Sequence, residues 1–166
     1  MVCGNRVEEA TKRIKDNGGL HIGKRKRLTE TLSSFTCFDD IKKYLFAKEN
    51  LIDTYNTFEV FDTLRFLSRF DSEANNLFRE VLNEIAGELN HYLEGKAPYD
   101  ERIHRLLLLL YDTQRRQREN GEKYLSRTES VRISRLLSKV ENKRQEEYDN
   151  QLRTKLERKI RKSRYR

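Results

Sequence analysis

Five consecutive leucines, Leu106 to Leu110, sit inside the stretch RIHRLLLLLYD that runs from Arg102 to Asp112. Successive residues of an α-helix are about 100° apart, so five in a row cover every side of it, and a helix that is apolar all round must be buried by neighbours. Leucines without β-branched companions favour a helix over a buried parallel strand. Asp100 and Glu101 precede the run and Arg115, Arg116 and Arg118 follow it, the charge order a helix dipole favours. The stretch predicts a central helix from Pro98 to Asn120. It falls well short of the roughly 20 apolar residues of a membrane span.

The flanking sequence supplies partners for such a helix. Ala74, Leu77, Phe78, Val81, Leu82, Ile85, Leu89, Tyr92 and Leu93 recur at three and four, which predicts an amphipathic helix capped by Asp71 or Ser72 and running to Leu93. Gly95 stands where a C-terminal cap belongs, and the short link Lys96-Ala97-Pro98 predicts an antiparallel hairpin with the leucine helix. Upstream, Phe38, Ile41 and Leu45 give one apolar face over 38–48, with Asp39 and Asp40 in its first turn. Val60, Phe61, Leu64 and Leu67 give another over 57–70, broadened by Phe58, Phe66 and Phe70. Their helical spacing and apolar neighbours point to core packing of the aromatics rather than to base stacking. Asn5 with Glu8 suggests a capping box for a first, thinly apolar helix bearing Val7, Ala10 and Ile14, ended by Gly18 and Gly19. After a stop at Asn120-Gly121, Ser126 and Glu129 form a second capping box, and Val131, Ile133, Leu136, Leu137 and Val140 are expected to dock on the bundle.

Beyond Asn142 the apolar residues thin to Tyr148, Leu152, Leu156 and Ile160, a spacing of four that winds slowly around a helix. Asp149 with Arg153, and Glu157 with Arg161, are spaced as helix-supporting pairs. Helical to its end, this last element would be on the order of 55 Å long and would project from the body.

Charge is distributed unevenly. The chain has a formal net charge of +8, yet from Arg153 to Arg166 eight bases (Arg153, Lys155, Arg158, Lys159, Arg161, Lys162, Arg164 and Arg166) face one acid, Glu157. The other 152 residues carry 27 bases and 26 acids, so a polyanion would meet chiefly the tail. A second basic feature, Lys24-Arg25-Lys26-Arg27, reads as a solvated surface turn and has the composition of a simple nuclear-localisation signal. Cys3 and Cys37 have no paired spacing, and no hydrophobic leader precedes Cys3, so a reducing intracellular setting is expected, cytoplasmic or, in a nucleated cell, nuclear.

Catalytic patterns are incomplete. Gly18 to Lys24 matches the spacing of a phosphate loop, GxxxxGK, and LLLLYD at 107–112 imitates an apolar run ending in a magnesium-binding aspartate. Arg25 stands where a hydroxyl would be needed, and the preceding ATKRIKDN is a charged helix rather than a strand. His21, His91 and His104 are scattered, no cysteine or histidine pair has zinc spacing, and the row Glu80, Glu84, Glu88 lacks the Glu-x-x-His partner of di-metal bundles, so it reads as a solvated face. No cofactor or metal is expected. Ser130 to Val140 has the look of a recognition helix, with Arg132, Arg135 and Lys139 able to meet DNA, but Gly121 to Ser126 is too polar and loose for the tight turn of a helix-turn-helix.

Together these features predict an all-α bundle of five to seven helices around the leucine-rich helix, with a bundle over 1–142 and a basic helical extension over 143–166. The expected function is non-catalytic: an accessory subunit of a nucleoprotein complex, with Arg153 to Arg166, assisted by Lys24 to Arg27, gripping the phosphate backbone of DNA or RNA without reading sequence. Protein partners or self-association through the bundle are also expected. The rival expectation is an adaptor whose tail lays Tyr148, Leu152, Leu156 and Ile160 in a groove of a helical or acidic protein.

Overall fold

The structure, a computed structural model, describes residues 8–9, 11–13, 15–16, 22–33, 35, 37–46, 54–69, 71–120 and 124–165. These form helices and no strand: the helical positions among 8–16 (α1), then α2 (Ile22–Ser33), α3 (Phe38–Phe46), α4 (Thr54–Leu67), α5 (Ser72–Leu93), α6 (Glu101–Asn120) and α7 (Arg127–Arg164). The all-α bundle is therefore observed. The proposed Asn5 cap, the Gly18-Gly19 stop, Phe70 and Arg166 lie outside the described residues, as do the side chains of Phe38, Lys24 and Arg25.

The α5–α6 hairpin is the framework. Asp71 caps α5, accepting hydrogen bonds from the backbone N–H groups of Glu73 (2.9 Å) and Ala74 (3.1 Å). At its other end Gly95 takes a φ of +75°, and Lys96 N–H reaches His91 C=O at 2.9 Å while Gly95 N–H reaches Tyr92 C=O at 3.1 Å. That is a Schellman turn, and the left-handed residue it requires is the glycine. The leucine helix begins at Glu101 rather than Pro98, because Asp100 acts as its cap and accepts from Ile103 N–H at 2.9 Å. Leu106, Leu107, Leu109 and Leu110 are buried, and Leu108 is half-buried. Around the hairpin, α5 touches α3, α4, α6 and α7, and α6 touches α4, α5 and α7. The Glu80–Glu84–Glu88 row keeps Glu80 and Glu84 exposed, as a solvated face would, and is ion-paired as well. Lys42 of α3 sits 2.7 Å from Glu84 and 3.3 Å from Glu80, and Arg102 of α6 grips Glu88 with two hydrogen bonds of 3.1 and 3.2 Å.

Three further positions differ from expectation. The tetrad 24–27 falls inside α2, not in a turn. Val131 is exposed, because it lies about 170° around α7 from the buried face formed by Ile133, Leu136, Leu137 and Val140. Tyr124 and Leu125 are buried in the segment read as polar and loose, where Gln117 accepts from Leu125 N–H at 2.9 Å.

Candidate nucleic-acid interface

The interface is built on α7, a 38-residue helix about 57 Å long at 1.5 Å per residue. Its start is fixed by a capping box in which the Ser126 hydroxyl accepts from Glu129 N–H at 3.2 Å and the Glu129 carboxylate accepts from Ser126 N–H at 3.0 Å. Arg79 of α5 pairs with the same carboxylate. Burial pushes the Glu129 carboxyl up, but the Ser126 hydrogen bonds and the Arg79 charge outweigh it and hold it below the ordinary value.

The first third of α7 docks through Ile133, Leu136, Leu137 and Val140. Just beyond, a joint of aromatic and charged groups directs the helix out of the body. Lys143 Nζ donates to the Tyr92 carbonyl and lies 4.4 Å from the centre of the Tyr92 ring. The Tyr92 hydroxyl donates to Glu147 at 2.9 Å, Tyr111 donates to Glu141, and the Arg144 guanidinium stacks 4.2 Å over the Tyr99 ring. Burial, followed by the Glu147 carboxylate, pushes the Tyr92 phenol up to about 12, so it stays a neutral donor at ordinary pH.

From Tyr148 to Tyr165 every residue is exposed. The reason lies in the sequence. The helix face that carries Ile133, Leu136, Leu137 and Val140 continues through Arg144, Glu147 and Gln151 to Lys155, Arg158 and Lys162. A seam that changes from aliphatic residues to bases has nothing to bury, so the helix leaves the bundle after Glu147. The extension predicted from residue 143 thus still touches the body through Lys143, Arg144 and Glu147.

Between Tyr148 and Tyr165, seven bases (Arg153, Lys155, Arg158, Lys159, Arg161, Lys162 and Arg164) face two acids, Asp149 and Glu157. At about 100° per residue the bases spread over some two thirds of the circumference. Tyr148, Leu152, Leu156 and Ile160 wind through the remaining arc and are 41–58% exposed. The expected pairing of Asp149 with Arg153 gives way to a hydrogen bond from Gln145 to Asp149 at 3.0 Å. Tyr165 is 91% exposed, free to stack on a base.

The second predicted basic element is separate in character. Lys26 and Arg27 are exposed on α2, and α2 packs on α4. The main packing neighbours of α7 are α5 and α6, not α2.

A buried charge cluster in the body was not anticipated. Arg65 of α4 is completely buried and donates to Asp62 (2.6 Å), Asp112 (3.1 Å) and Thr113 (3.2 Å), with its guanidinium 5.4 Å from the Tyr124 ring centre. Arg116 bridges the same two aspartates, and Arg115 adds a bond to Asp112 at 2.9 Å. Burial pushes the Asp112 carboxyl up, but Arg115, Arg65 and Arg116 outweigh it and hold it below the ordinary value. Asp112 is thereby engaged by arginines, and Gly23 and Lys24 of the GxxxxGK spacing lie within α2. The available sequence signal was Arg65 itself, a base on the otherwise apolar face of 57–70, three residues after Asp62. Among the described residues no three histidine, cysteine or acidic side chains converge as a metal site would require, and no helix is long and apolar enough to cross a membrane.

No family model, curated protein or solved structure matches this chain.

Proposed function

We propose that the chain is a non-catalytic nucleic-acid-binding accessory subunit, in which the helical bundle serves as a body and the projecting end of α7 grips phosphate. The observation that carries this reading is the all-exposed segment Tyr148–Tyr165 with seven bases. An exposed rod of cations gains affinity for a polyanion by releasing condensed counterions, and it does so without sequence readout. The joint at Tyr92, Tyr99 and Tyr111 supports the same reading, because it aims the rod and so lowers the ordering cost of binding.

Fluorescence anisotropy with labelled single-stranded and duplex DNA and RNA, at roughly 50 and 200 mM salt, tests it. The comparison is the full chain against a chain ending at Gln151, and the residues 152–165 that this removes are all exposed. Binding that weakens steeply with salt and is lost on truncation is expected. Absence of binding to all four ligands at the lower salt overturns the reading.

The exposed stripe Tyr148, Leu152, Leu156 and Ile160 favours a second reading, an adaptor whose tail docks on an acidic helical protein. Replacing the three aliphatic residues by serine separates the two: phosphate binding survives the change, and groove binding does not.

A further inference from the structure

A groove of about 260 Å³ runs between α5 and α7. Leu82 and Ala86 of α5 and Ile133 and Leu136 of α7 give it apolar walls, Asn83 and Asn90 place amides along one edge, and Arg132, Arg135 and Lys139 line the other. Glu129, which also lines it, is taken by Arg79, so the three bases have no ion-pair partner among the described residues. All three are exposed.

We propose that this groove is a nucleotide subsite, in which one base of a single strand lies on the apolar walls while its flanking phosphates meet Arg132, Arg135 and Lys139. The proposal rests on the nucleic-acid reading of the tail and extends it to the body. Three features of the groove favour this ligand. An apolar slot edged by carboxamides suits a flat heterocycle with donors and acceptors on its rim, since asparagine offers both. The cationic edge suits phosphate, which guanidinium groups engage in a bidentate manner. The third is alignment: Arg132, Arg135 and Lys139 share a face of α7 with Arg153, Arg161 and Arg164, interrupted by Glu146 and Glu157. The projecting grip and the groove are thus two stations on one face of a single rigid helix, about 48 Å from Arg132 to Arg164.

Gly87 adds an independent observation. It sits in the middle of α5 on the same helix face as Asn83, Ala86 and Asn90, and a Cβ placed there meets nothing within 4 Å. Glycine costs stability in a helix interior, and here packing does not require it. Gly87 does not itself line the groove, and the open space around it admits a larger side chain on the face that carries Asn83 and Ala86.

The test is photocrosslinking of the full chain to a short single-stranded oligonucleotide carrying thiouridine, with crosslinked residues located by mass spectrometry. Crosslinks within 82–90 or 132–139, in addition to those beyond Tyr148, are expected. Gly87→Leu, which leaves the charge unchanged and improves helix propensity, should reduce the groove crosslinks about tenfold while tail crosslinks persist. The surface double variant Arg132→Ala, Arg135→Ala should do the same and guards against misfolding of the first. Uridine monophosphate should leave groove crosslinks largely in place, because the strand is held also by the tail; their selective removal by the mononucleotide overturns the strand assignment in favour of a free nucleotide. Crosslinks confined to residues beyond Tyr148 overturn the subsite and leave the tail reading intact. No crosslinks and no anisotropy change overturn both. Saturable binding of a poly-glutamate peptide that is lost in the groove variants, without groove crosslinks, overturns the subsite in favour of a protein ligand.

Discussion

Arg65 of α4 and Asp112 of α6, 47 residues apart, meet through a 3.1 Å hydrogen bond, with the arginine side chain wholly out of solvent. The pair joins two helices that Arg116 of α6 and Asp62 of α4 also link, at 3.1 Å. Asp62, Thr113 and the Tyr124 ring add to the pair's Coulombic gain against the cost of desolvation, while the buried Arg65 Nε has no hydrogen-bond partner among the described residues. Removing Arg65 opens a cavity at a fully buried site and takes one arginine from each aspartate, although Arg116 and Arg115 remain on them. Arg65→Ala should therefore destabilise the fold by about 3–5 kcal/mol, read as a lower midpoint in urea denaturation. Arg65→Met, which fills similar volume and leaves both aspartates paired with Arg116, should lower the midpoint less.

Acid should act on Asp112 of this cluster and on Glu129 of the α7 capping box. Asp112 and Glu129 both titrate below their ordinary values, so each binds its proton less readily folded than unfolded. The stability they contribute is present above the unfolded carboxyl values near about 4 and is lost as pH falls through the lower folded values. A series of urea midpoints from about pH 6 to about pH 2 should decline, and Asp112→Asn should flatten part of that decline while lowering the plateau.

At alkaline pH the joint of α7 is the sensitive element. The Tyr92 phenol, pushed up to about 12 by burial and by Glu147, favours the folded state while neutral. That contribution is present below the unfolded value near about 10 and is lost as pH rises through about 12. Tyr92→Phe removes the hydrogen bond to Glu147 and should raise amide hydrogen exchange around 141–147, with exchange in α4 unchanged.

Gly87→Ala should stabilise the chain by up to about 1 kcal/mol, since the added methyl meets no neighbour and a helix-interior glycine is replaced by the best helix former. Thermal unfolding measures this directly. A loss of stability would show that the methyl encounters an obstruction.

Ser126→Ala removes the hydroxyl half of a capping box whose other half is also held by Arg79. The expected cost is about 1 kcal/mol, and the first turn of α7 should lose amide protection before the segment around Leu136 does.

Local rules carried much of this architecture. The Asp71 cap, the Ser126–Glu129 box, the left-handed Gly95, the buried leucine run and the aliphatic spacing of α5 all follow from neighbours three to five residues away, so one dimension contains them. The basic, thinly apolar terminal helix was equally legible, because absence of a buriable face is itself a local property. Contacts between distant segments were not legible in this way. Two partners of Arg65, Asp112 and Tyr124, come from distant segments, and Tyr124, in a stretch read as polar and loose, is buried beside Arg65 and Arg69. The row Glu80, Glu84, Glu88 likewise became a seam only when Lys42 and Arg102 arrived from other helices. Periodicity and capping are encoded within a turn or two of chain, whereas the partner of a charge and the walls of a groove depend on how whole helices pack, which only the tertiary structure decides.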